Sequence, residues 1–402
     1  MRKSWLIVCL LNFLVAATMG LLLRFVNLFP IGINYQYLIH GHSHVAMFGW
    51  VYMMIFCLFV HYYVPEEKKE KYNTLFWITQ ITVLGMMLSF PLQGYALFSI
   101  GFSTLHILLS YVFCYWIWRD MNIVPAPAIW LVKVALLFML LSTIGAWPIG
   151  IIANFAGKQS ALYKTAIQFF LHFQFNGWFM IAVLSMFFTR LLQSGITVNR
   201  NRFRLFYYLL IFSTILTLAL PLSWYYSHPV LPYLNVFGTG LQIAALAMFV
   251  SLIIPAIHSL KNQALATSKW LLMLSLFSFA IKIVLQIAAI SPELAAAAHK
   301  VRNFTIGFIH LAMLGMITGF LFYFLAGTNF IRQGNRFWKI GIFFFFIGFT
   351  LTELILFIQG IRTFCVMGEM KNYYGMLFTA SALLPVGVIL ILLSVIMSFR
   401  TK

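Results

Sequence analysis

The chain has 402 residues, of which 63% are hydrophobic and only 8% charged, and it carries a formal net charge of +19. A soluble domain is not so apolar, so the composition reads as an all-α, polytopic membrane protein. The surplus of Lys and Arg forms no basic run with interleaved aromatics, which argues against nucleic acid as a partner and for loop cations that set membrane orientation.

The four cysteines, Cys9, Cys57, Cys114 and Cys365, are scattered, and no C-x-x-C-H motif for covalent haem attachment occurs. Arg2-Lys3 precedes an apolar run without a convincing small-residue cleavage site, so the run is expected to stay as a first span. Hydropathy and breakers predict about twelve spans, near 5–25, 35–62, 74–97, 99–118, 129–153, 164–190, 204–226, 232–257, 268–290, 303–326, 337–359 and 376–399. The boundary around 91–101 is the least defined, being short and rich in turn residues (Pro91, Gly94, Gly101). No soluble segment remains, so residues 1–402 are expected to form one membrane domain. Lys and Arg favour one side of these spans by 17 to 7, which predicts both termini in the cytoplasm; the expected location is the cell inner (cytoplasmic) membrane.

With that orientation the second, sixth and tenth spans run from outside to inside. The second opens with Ile39-His40-Gly41-His42-Ser43-His44-Val45-Ala46-Met47-Phe48-Gly49-Trp50, three imidazoles within five residues. His172 and His310 lie early in the sixth and tenth spans, and His106 falls at similar depth in the fourth. At about 1.5 Å rise per residue, all of these belong to the outer third of the bilayer. His228 and His299 are placed near the outer surface, and only His61 and His258 toward the inner side. Ionisable groups in hydrocarbon are costly and mark function or a polar partner.

On a helix His40 and His44 share a face with Phe48, whereas His42 shares the other with Ala46 and Gly49. Those small residues leave room for a flat macrocycle or for close helix packing. The sixth span carries a polar stripe, Thr165, Gln168, His172 and Asn176, which should face a cavity, a cofactor or another polar helix. Outer-side Arg24, Lys300, Arg302 and Arg362 can pair with haem propionates or snorkel to headgroups. Glu353 and Lys282 lie inside spans, where each can relay protons or pair with a polar neighbour.

Phe304-Thr305-Ile306-Gly307-Phe308-Ile309-His310 resembles the tenth helix of subunit I of the haem-copper oxidases, nearest the cb-type oxidases and nitric oxide reductases, where the motif is F-T-I-G-H-x-H. His42-Ser43-His44-Val45-Ala46-Met47-Phe48-Gly49 is similar to that family's second-helix segment, and Tyr63-Val64-Pro65-Glu66-Glu67 to the turn after it. His172-Phe173-Gln174-Phe175-Asn176-Gly177-Trp178-Phe179 is similar to the segment bearing the first copper ligand. The resemblance implies a twelve-helix bundle of the subunit I type. It also implies a low-spin haem b with axial ligands His42 and His310, with His40 or His44 as alternatives to His42. His172, with His106 or His228, is then the remnant of a second metal site for copper or another ion.

The chain departs from the pattern at several places. Phe308 stands where the high-spin haem ligand belongs, no His-His pair occurs in the seventh span, and Asn176 replaces the tyrosine four residues after His172. The implied high-spin haem and copper centre is therefore incomplete, and no catalytic residue follows from the resemblance. The expected function is respiratory electron transfer or oxygen or nitric oxide chemistry, with a cytochrome or quinol as donor and other respiratory subunits as partners. The H-x-H-x-H cluster also resembles a segment of nitric-oxide-response membrane proteins. Two other readings stand beside it: a haem-free, proton- or metal-ion-coupled transporter, and a non-catalytic partner of a respiratory complex.

Overall fold

The computed structural model describes residues 2–121, 124–263, 266–328, 330–331 and 334–398, without the side chains of 256–263 and 266. His258 and Lys261 are among those side chains, and Arg332, Arg400 and Lys402, which entered the orientation count, lie outside the described residues. The described chain is helical, with no strand among the described residues. Twelve helices are long and apolar enough to cross a membrane: α1 Lys3–Phe25, α2 Tyr35–Tyr63, α3 Glu66–Gln93, α4 Leu97–Asp120, α5 Ala128–Phe155, α6 Ala161–Gln193, α7 Arg200–Ser223, α8 Val230–Pro255, α9 Thr267–Ala288, α10 Arg302–Ala326, α11 Arg336–Phe364 and α12 Tyr373–Met397. A short helix, Pro292–Lys300, precedes α10. The chain is thus a multi-pass membrane protein whose apolar helices face lipid.

The break between α3 and α4 falls at Gly94, not at the expected 97–99. Gly94 has φ +62, and the ring of Tyr37 occupies the space that a β-carbon would need, with Cε1 at 2.5 Å from it. Both conditions select glycine. Ser99 then starts α4: its Oγ accepts from Ala96 N at 2.9 Å and donates to Gly94 O at 2.5 Å. α3 begins at Glu66, earlier than hydropathy suggests, because the acidic pair Glu66-Glu67 follows Pro65 and complements the positive end of the helix.

Two compact units make up the chain. The first comprises Met1–Ile123, Leu265–Leu272 and Thr318–Lys402; the second comprises Val124–Ala264 and Met273–Ile317.

In the first unit α1 packs on α2 and α12, α11 on α12, and α3 on α2 and α4. Phe13 stacks on Trp50 (ring centroids 4.4 Å) and Trp5 on Phe76 (4.9 Å). Asn12 ties three helices together, donating to Gly49 O at 2.9 Å and exchanging hydrogen bonds of 2.8 and 3.0 Å with Gln80. At the far end of α4 the enclosed carboxylate of Asp120, 1% exposed, meets Lys71 (2.5 Å), Tyr72 Oη (3.0 Å) and Lys68 (3.2 Å).

In the second unit α5 packs on α6 and α7 on α8. Gly177 and Gly145 of these helices admit Phe138 and the backbone of Ala166. Phe187, Phe188, Phe203, Phe206, Phe249 and Phe279 form a continuous aromatic cluster.

Candidate functional site

The three helices that carry the expected ligands are the most enclosed of the twelve, with 83% of α2, 83% of α6 and 78% of α10 buried over their apolar stretches. Each changes winding directly after a histidine. Val45–Tyr52 follows His44, Phe173–Phe179 follows His172, and Leu311–Thr318 follows His310, all as π-helical turns. Such turns are uncommon, concentrate at functional sites, and rotate the residues beyond them relative to an α-helix. Hydropathy carries no trace of them.

Within the first unit the three histidines of α2 divide between two faces. His42 points at α1. Its Nδ1 lies 2.8 Å from the carbonyl oxygen of Ala16, and because a carbonyl only accepts, Nδ1 carries the proton and Nε2 is the lone-pair nitrogen. The ring sits where Gly20 has no side chain: a β-carbon there would stand 2.9 Å from His42 Cε1. Gly49 also turns to α1, through Asn12, so this face is used for close packing as well as for the imidazole.

His40 and His44 occupy the other face. His44 Nδ1 donates to His40 O at 2.8 Å, and the Tyr95 hydroxyl stands 3.5 Å from His44 Nε2. The rings of His40 and His44 pack on Tyr95 and Phe90. His106 of α4 joins this side, enclosed between Phe48 and Tyr52 with centroids 4.8 Å away in both cases. Thr82 Oγ1, which donates to Thr79 O, accepts from His106 Nδ1 at 3.1 Å, and His106 Nε2 has no hydrogen-bond partner. The rings of His40 and His44 thus lie on the side of α2 that packs on Phe90 and Tyr95, and His42 lies on the side that faces α1.

Within the second unit His172 spends both ring nitrogens on protein. Nε2 donates to Thr214 O of α7 at 2.7 Å, and Asn176 Nδ2 lies 3.4 Å from Nδ1. A metal could take Nε2 only by displacing that carbonyl. His228 is exposed, its Nδ1 accepting from Val230 N at 3.3 Å. His310 is partly exposed at the end of a first segment, Arg302–His310, that buries none of its residues. Near the start of α6, His299 stacks on Trp224 (4.8 Å); burial and the nearby charges of Lys164 and Lys300 lower its pKa.

Among the described residues no three His, Cys, Asp or Glu side chains converge as a protein-only metal site would need. Arg362 closes its own loop, donating to Met367 O at 2.8 Å and Gly368 O at 3.3 Å, and Arg302 is exposed. Ser43 and Thr305, the hydroxyls nearest the expected ligands in sequence, serve neighbouring carbonyls, His40 O and Ala298 O. The group that orients His42 is the Ala16 carbonyl, which no sequence motif announces because every residue has one. Comparison of this chain with known protein families and with curated proteins finds no match.

Proposed function

We propose that the chain is a haem-binding membrane protein related to subunit I of the haem-copper oxidases, in which His42 would hold a low-spin haem b. The observation that carries this reading is the setting of His42. A ligating imidazole needs its second nitrogen held by an acceptor, which fixes the tautomer and the ring plane. Ala16 O does this for His42 from another helix; His44 is held in the same way by His40 O, but its Nε2 faces the Tyr95 hydroxyl. Gly20 leaves the space in α1 that the edge of the His42 ring occupies.

A low-spin haem held by imidazole would supply one-electron transfer. The chain's own residues do the rest: the Ala16 carbonyl orients His42, and the buried apolar stretch of α2 that follows, including Val45 and Trp50, is closed to water. Copper is left out of the proposal. Phe308 offers no donor, α7 has no histidine, and His172 Nε2 is committed to Thr214. The reading further includes both termini in the cytoplasm, an inner-membrane location, and a cytochrome or quinol donor within a respiratory assembly. Its terminal acceptor would be oxygen or nitric oxide only if another subunit completes the centre.

The test is a visible spectrum of the purified chain expressed with ample haem precursor. The expected result is a sharp reduced low-spin band, abolished in His42→Ala and in His310→Ala but kept in His172→Ala. A band that survives in His42→Ala overturns the axial assignment. Complete absence of haem favours the transporter reading, which the buried polar residues of the second unit support. Haem without turnover on any donor and acceptor favours a non-catalytic respiratory partner.

A further inference from the structure

On the membrane face where α2 ends, α3 begins and α4 ends, the first unit carries an open pocket of about 360 Å³ lined by Glu67, Lys68, Lys71, Arg119 and Asp120. That size falls in the range of small-ligand pockets, about 300–1,000 Å³. Every lining residue is charged, and three cations against two carboxylates leave a surplus of one positive charge.

Asp120 fixes two of the cations. Its enclosed carboxylate meets Lys71 at 2.5 Å and Lys68 at 3.2 Å, and Lys71 Nζ also stands 5.0 Å from the Trp116 ring centroid. Both lysine side chains stay more than a third exposed. An ammonium group has three N–H donors, so each lysine keeps donors to offer beyond the one turned to Asp120. Arg119 is exposed, and among the described residues its guanidinium has no hydrogen-bond or ion-pair partner. Its planar fork matches two oxygens of a phosphate group. Glu67, exposed at the start of α3, is the acidic group that an incoming anion meets.

The same turn of α4 is built for the membrane boundary. Tyr115, Trp116 and Trp118 cluster there, and Tyr115 and Trp118 are exposed, as aromatic residues at headgroup level are. α4 is also the least enclosed of the twelve helices, with 28% of its apolar stretch buried. Leu108, Val112, Tyr115 and Arg119 follow at intervals of four, three and four residues, which places them on one helix face, and all four are exposed. An apolar track therefore runs from the guanidinium into the hydrocarbon. Its eleven residues span about 16 Å, close to half of a hydrocarbon core about 30 Å thick.

We propose that this pocket binds the headgroup of an anionic phospholipid bearing one phosphodiester charge, with an acyl chain laid along Tyr115, Val112 and Leu108. One negative charge balances the surplus of the lining. Phosphatidylcholine would bring its own cation into a pocket already holding three. Lys68, Lys71 and Arg119 donate to the phosphate, and Asp120 keeps the two lysines in place before the lipid arrives. Basic pockets at helix ends take anionic headgroups in this way.

The test is native mass spectrometry of the full chain, released from mixed micelles containing equal amounts of phosphatidylglycerol and phosphatidylcholine. The expected result is an excess of bound phosphatidylglycerol. The ratio should fall by about threefold in Arg119→Gln and further when Lys68→Gln is added, as removal of partly exposed charges predicts. Glu67→Gln should raise it. Arg202→Gln, which removes an exposed cation of the second unit, should leave it unchanged. Arg119 has no partner to lose, so its variant keeps the fold. No preference in the wild type, a ratio unchanged in Arg119→Gln, an equal fall in Arg202→Gln, or no rise in Glu67→Gln overturns the proposal. Glycerophosphoglycerol, the headgroup without chains, should not displace the lipid at equal concentration; displacement overturns the assignment to a lipid. None of these readouts depends on haem.

Discussion

Replacing Gly20 by alanine is the most direct probe of the His42 niche. The added β-carbon would lie 2.9 Å from His42 Cε1 and 3.3 Å from Nδ1, so the ring must move by a large fraction of an ångström. Overpacking of this kind costs about 1–3 kcal/mol. The same movement stretches the 2.8 Å hydrogen bond to Ala16, whose loss adds about 0.5–1.5 kcal/mol. Gly20→Ala should therefore destabilise the chain by about 1.5–4.5 kcal/mol, measured as unfolding in mixed detergent micelles. Gly32→Ala, where nothing lies within 4 Å of the new atom, is the control and should be close to neutral. The double variant Gly20→Ala with His42→Ala should recover part of the loss, because the two positions are in contact and their effects do not add. Equal stability of Gly20→Ala and Gly32→Ala, or strict additivity in the double variant, would refute the niche.

Asp120→Asn removes the carboxylate that gathers Lys68, Lys71 and Tyr72; the two lysines are themselves partly exposed, so a modest loss of about 1–3 kcal/mol is expected by chemical unfolding. His172→Phe breaks the tie between α6 and α7 and should cost about 0.6–1.7 kcal/mol while leaving metal content of the purified protein unchanged; a loss of bound metal would show that His172 is a ligand after all. His299 has its pKa lowered by burial and by Lys164 and Lys300, so the unfolded chain binds its proton more tightly than the folded one. Its contribution to stability is present above the ordinary imidazole pKa of about 6.5 and is lost as pH falls through that range. His299→Gln should flatten the melting temperature against pH below neutrality, and an unchanged slope would remove His299 as the cause.

Composition alone settled the class of this protein, because hydrocarbon admits only long apolar helices whose backbones bond internally. The spans drawn from hydropathy agree with the twelve helices to within a few residues for α1, α2 and α10; α3 starts earlier, at an acidic turn that hydropathy scores as loop. The division of His40 and His44 from His42 followed from helical period, which the first turns of α2 obey. Three things needed the folded chain. The π-helical turns after His44, His172 and His310 arise from backbone winding. The roles of the ring nitrogens depend on carbonyls from other helices: Ala16 O orients His42, whereas Thr214 O occupies His172 Nε2. A polar stripe on one helix reads the same whether its partner is a cofactor or a neighbouring backbone, so only tertiary packing could show which carbonyl each ring nitrogen meets.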